Sequence, residues 1–85
     1  MKKLVEQVEG EGLEGLLGEE VLLLCANYFY TGKLTGVNKT CVLLADPSIV
    51  YETGDWKEKG FSDAQKLPSD VYVQTGAIES FMVVK

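Results

Sequence analysis

Residues 21–46 read VLLLCANYFYTGKLTGVNKTCVLLAD: three apolar runs parted by small or polar turn residues, with Gly32 inside the central run. This is the pattern of a bent antiparallel meander. A glycine within a strand weakens it, so it usually marks a sharp bend or a close approach of another backbone. Tyr30 and Leu34 flank Gly32 at the two-residue strand period and share its face. Gly32 is thus the expected pivot at which one strand curls to serve two sides of a small barrel.

Working outward, a first strand is expected over residues 20–26. It is apolar at both parities, which predicts burial on both faces. Asn27 tolerates a left-handed backbone and suits a turn. The second strand spans 28–37, bent at Gly32 and again at Gly36, and Asn38-Lys39-Thr40 forms a short polar loop. The third, 41–46, meets Pro47, which cannot donate to a central ladder. Residues 48–53 then resume either as a bulged continuation or as a hairpin arm. Residues 54–69 are polar, a variable loop whose Trp56 and Phe61 are read as anchors packing it down rather than as a base-stacking platform. A near-alternating strand over 70–75, a break at Gly76 and a last strand over 78–84 complete the chain. Ahead of all this, residues 1–18 predict one or two short helical turns, with Leu4, Val5 and Val8 on one face and Leu13, Leu16 and Leu17 on a second. Gly10, Gly12, Gly15 and Gly18 oppose a single long helix.

With 85 residues, 46% of them hydrophobic, the chain has room for one domain over 1–85. So small a domain has a modest core, and association adds materially to it. No apolar run approaches the ~20 residues of a membrane helix. Lys2 and Lys3 are followed by Glu6, Glu9, Glu11 and Glu14 rather than by an apolar stretch, so no secretory signal is expected. Cys25 and Cys41 lie in apolar strands and read as buried thiols in a reducing cytoplasm.

The formal net charge is −5, and the chain has neither arginine nor histidine. Counterion release by many basic groups, on which non-specific duplex binding rests, is not on offer. Charge is uneven, though: the first twenty residues hold six Glu and two Lys, whereas Lys33, Lys39, Lys57, Lys59 and Lys66 come later. Without histidine no Ser-His or Cys-His pair exists. Two isolated cysteines and scattered carboxylates lack metal-ligand spacing, and the N-terminal glycines fit no phosphate-loop register. Glu19 and Glu20 point to opposite faces of a strand and make no acid pair. The expectation is a non-catalytic protein with no metal or cofactor.

A short helix and then five strands, the second strongly bent and a glycine just before the last, resembles the Sm and Sm-like family of small RNA-binding ring proteins. Tyr30, Gly32 and Leu34 match the aromatic, glycine and leucine of the family's first motif, and the chain reads as a divergent member. Asn38 falls where the family usually carries aspartate, Cys41 or Val42 stands nearest its loop asparagine, and Thr75-Gly76-Ala77 replaces arginine, glycine and a polar residue in the second motif. The resemblance implies a mostly β, SH3-like small barrel of five antiparallel strands. It also implies nucleic-acid contacts at Asn38, Lys39, Thr40, Thr75 and Gly76 around a pore.

The ring has its own physical motive. Apolar final strands, with Val71, Tyr72 and Val73 in one and Phe81, Met82 and Val83 in the other, template aggregation if unpaired. Pairing one copy's fourth strand with the next copy's fifth satisfies both edges. Such a heterologous contact closes into a ring or runs on as a fibre; roughly five to eight copies are implied by the resemblance. The function expected is a scaffold or chaperone for single-stranded RNA or DNA. The rival is a ring that only assembles proteins through its acidic face and the 54–69 arm. A third option is a monomeric SH3-like barrel that binds peptides. Against it, Tyr28, Phe29 and Tyr30 alternate faces and cannot all line one groove.

Overall fold

The apolar runs become strands β1 (Glu20–Cys25), β2 (Phe29–Val37) and β3 (Cys41–Glu52), followed by β4 (Asp63–Lys66), β5 (Val71–Gln74) and β6 (Ile78–Val83). The computed structural model describes residues 12–56 and 61–84. All six strands are antiparallel and belong to one sheet, in the order β4-β3-β2-β1-β6, with β5 also on β3. The protein is therefore a small, mostly β domain. It has six strands where five are expected, because Asp63–Lys66, inside the 54–69 loop, pairs with the second half of β3. The only helical pieces among the described residues are two 3₁₀ turns, Glu14–Leu16 and Thr75–Ala77. The helical turns expected over 1–18 thus reduce to one short turn in the part described. Leu4, Val5 and Val8 lie outside the described residues.

Gly32 works as the bend for a reason the register makes plain. Thr31 pairs with Ser48 and Lys33 with Ala45, so Asp46 and Pro47 together stand opposite the single residue Gly32. Such a two-against-one bulge kinks its strand and raises the local twist. A Cβ at Gly32 would sit 3.0 Å from the Ala45 carbonyl oxygen and 3.2 Å from the Pro47 Cα, atoms of a backbone that cannot rotate away. Asp46 takes the left-handed conformation at φ 47°, which Asp adopts more readily than most residues. A second irregularity leaves Thr35 unpaired between Leu34↔Leu44 and Gly36↔Leu43, at the second expected bend. The third strand is therefore a bulged continuation through Pro47.

Bending lets residues from four strands meet. Val21, Leu23 and Cys25 of β1, Leu34 of β2, Val42 and Leu44 of β3 and Val73 of β5 form one buried cluster, against which Leu13, Leu16, Tyr30, Val37, Val71 and Ile78 pack. Leu22 and Val50 are buried too. Leu22 lies between Val21 and Leu23 and so points to the reverse face, which accounts for a first strand apolar at both parities. Glu19 and Gly18 extend the β1–β2 ladder, since the Leu34 amide donates to the Glu19 carbonyl (2.9 Å) and the Gly18 amide to the Leu34 carbonyl (2.7 Å).

β4 and β5 lie end to end on the same edge of β3. Lys66 pairs with Ser48 and Val71 with Leu44, and the residues between them bridge the bulge, where the Leu67 amide donates to the Pro47 carbonyl at 2.8 Å. They act as one edge strand interrupted at Pro68. Every residue of β4 is exposed, so the end of β3 and β4 form a two-stranded arm that is solvated along β4, while Val50 of β3 stays buried. Trp56, beyond this arm, is 63% exposed; it does not pack the loop down as expected, whereas Phe61 is half-buried. No helix among the described residues is long and apolar enough to cross a membrane.

Candidate functional site

The loop after β2 is built by Asn38. Its side-chain oxygen accepts from the Thr40 amide (2.8 Å), the Cys41 amide (2.9 Å) and the Thr40 hydroxyl (3.2 Å). Its own amide donates to the Cys41 carbonyl at 3.0 Å. This is the Asx-type turn that Asn forms by substituting its carboxamide for a backbone carbonyl. The Asn38 oxygen is consequently committed to the turn, and the amide NH₂ has no partner among the described residues.

Thr75 ties this loop to the break between β5 and β6. Its amide donates to the Thr40 carbonyl (2.9 Å) and its hydroxyl to the Lys39 carbonyl (3.1 Å). The 3₁₀ turn Thr75–Ala77 then redirects the chain into β6. Sequence-distant Asn38, Lys39, Thr40, Thr75 and Gly76 are thereby gathered into one exposed patch in which Thr75 alone is half-buried. Nothing crowds Gly76: a Cβ there would meet no atom within 4 Å. The patch offers one ammonium, one carboxamide NH₂ and hydroxyls, in a place where backbone approach is open.

The edge residues divide by role. Val73 points into the core and is buried, Val71 is half-buried, and Tyr72 is 70% exposed. What β5 presents outward is Tyr72 and its backbone edge, rather than all three side chains. On β6, Phe81, Met82 and Val83 are all exposed. β5 pairs only with β3, and β6 only with β1. Each strand has one edge with no ladder among the described residues.

A groove not anticipated from sequence opens beside β5. It has a volume of about 320 Å³, and its lining includes Cys25, Tyr28, Tyr30, Val71, Val73 and Ala77. Tyr28 and Tyr30 meet edge to face with ring centroids 6.4 Å apart. Phe29, between them, takes the other face. The alternation that forbids three consecutive aromatics from sharing a surface permits two, and that i, i+2 pair was the available signal. Both cysteines are free thiols; Cys25 is buried and Cys41 half-buried. Burial first, and the Glu79 carboxylate second, push the Cys25 thiol up from its ordinary value. Burial, then the neighbouring Cys25 and Tyr28, do the same to Tyr30.

Compared with known proteins, the chain matches no family model and no curated protein sequence.

Proposed function

We propose that this chain is an Sm-like barrel protomer that closes through its β5 and β6 edges into a homo-oligomeric ring. In this reading the ring binds single-stranded RNA as a non-catalytic scaffold or chaperone. The observation that carries the proposal is the Thr75 link, which fastens Lys39 and Thr40 to the turn at Gly76 and makes one surface of two loops. Lys39 supplies positive charge for phosphate. The Asn38 NH₂ suits acceptors on base edges, and the Thr40 hydroxyl oxygen, whose proton goes to Asn38, suits a base-edge donor. A single copy of this patch is weak, since it lacks both Arg and an aromatic plane for stacking. Repetition about a ring axis multiplies it by raising effective concentration.

Titrating the protein with labelled U-rich and A-rich oligomers at two salt concentrations tests this. The expected result is binding that weakens as salt rises, as phosphate contacts require, and that falls by about tenfold or more in Lys39→Ala, since the loss repeats in every bound copy. Absence of binding at low salt would contradict it.

A protein-assembly ring is the second reading. It is favoured by the net charge of −5 and by the exposed Tyr51 and Trp56 on and beyond the β3–β4 arm. Oligomer binding of the kind described would exclude it as the sole role.

A further inference from the structure

Phe81 and Val83 are the cross-strand partners of Leu23 and Val21, and facing residues of an antiparallel pair share a face. Leu23 and Val21 are fully buried on that face, yet Phe81 and Val83 each remain 38% exposed. The inward face of β6 thus ends in a large aromatic side chain that the described residues leave partly exposed. At the other edge of the sheet, the groove beside β5 is lined by Val71 and Val73 with Tyr28 and Tyr30. Its volume of about 320 Å³ is at the small end of the ~300–1,000 Å³ typical of ligand clefts. That is room for one large side chain and a neighbour.

We propose that this groove is the seat of Phe81 from a second copy of the chain, whose β6 adds to the unpaired edge of β5. The proposal rests on the edge-pairing reading above and adds to it the side chain that anchors the contact and the site that receives it. A strand laid along β5 continues its faces, so every second residue of the newcomer turns toward the groove side of Val71 and Val73. β6 meets that requirement with Phe81 and Val83, two residues apart, and the described residues leave both partly exposed. A third ring beside the Tyr28–Tyr30 pair gains the edge-to-face contacts aromatics prefer. Cys25, at the groove, is held as the neutral thiol, so seating an apolar ring strands no charge.

Sedimentation of paired variants tests this. Phe81→Ser removes the anchor and leaves the groove; Ala77→Trp, at an exposed groove residue, fills the groove and leaves the anchor. Tyr28→Lys is a second groove variant, should Ala77→Trp disturb the Thr75 turn. Wild type is expected to sediment as a multi-chain species and each variant as a single chain with unchanged far-UV circular dichroism. An equimolar mixture of anchor and groove variants should form a two-chain species, because one intact anchor then meets one intact groove. Retention of the wild-type mass by Phe81→Ser, or no two-chain species in the mixture, overturns the anchor while leaving edge pairing in place. A wild type that sediments as one chain overturns both.

Discussion

Gly32 carries more of this structure than its size suggests, because it lies opposite the two-residue bulge of Asp46 and Pro47. Gly32→Ala places a methyl group 3.0 Å from the Ala45 carbonyl oxygen, and relief requires moving backbone rather than turning a rotamer. The expected cost is about 1–3 kcal/mol, the range of overpacking, read as a lower urea midpoint. Gly36→Ala meets only the Leu43 side chain, at 3.3 Å, and should cost less than Gly32→Ala; equal losses would contradict the bulge as the cause. A second residue-scale consequence concerns alkaline pH. Cys25 and Tyr30 hold their protons more tightly in the folded chain than free side chains do, so the native state keeps protons that the unfolded state releases. Stability from this source is whole below the ordinary thiol value of about 8.5 and is lost as pH rises through the raised native values. Urea midpoints of wild type should therefore fall between about pH 8 and 10, and Cys25→Ala should flatten that fall. Parallel slopes would contradict it.

Among elements, the turn at Asn38 and the latch at Thr75 separate folding from the candidate surface. Asn38→Ala leaves the Thr40 and Cys41 amides without their acceptor and should lower stability by about 1 kcal/mol, limited by solvent reaching the exposed loop. Thr75→Val removes the hydroxyl link to Lys39 but keeps the amide link to Thr40. Loss of oligomer binding with a stability change under about 1 kcal/mol is expected, whereas unchanged binding would show that the latch does not shape the surface. The sequence made five of the six strands legible, because β1, β2, β3, β5 and β6 are apolar or alternating runs with turn residues between them, and the Gly32 bend because a glycine inside a strand marks a bend or a close approach. β4 was not legible: Asp63, Ala64, Gln65 and Lys66 carry no apolar alternation, and they are extended only because β3 runs past its bulge to offer an edge. Trp56 misled for a related reason. An aromatic in a polar loop suggests an anchor, but Trp56 remains largely exposed, as does every residue of β4. The convergence of Asn38, Lys39 and Thr40 with Thr75 was implied by the resemblance alone; the hydroxyl that secures it is invisible in spacing.

Across the described residues the molecule is a curved sheet whose two edges without a ladder differ in kind. β5 offers a backbone edge above a small apolar groove, and β6 offers a backbone edge with Phe81 and Val83 partly exposed among the described residues. Two unlike edges on one chain favour head-to-tail contact, which closes or propagates. The groove escaped the sequence because it belongs to no single element: the β1–β2 turn, β5 and the turn at Ala77 create it only when folded. Native mass spectrometry of the unmodified protein at micromolar concentration tests the central claim most directly. Discrete masses at one integral multiple of the 9.3 kDa chain, greater than two, are predicted. A single peak at the mass of one chain, unchanged as concentration rises, would contradict it.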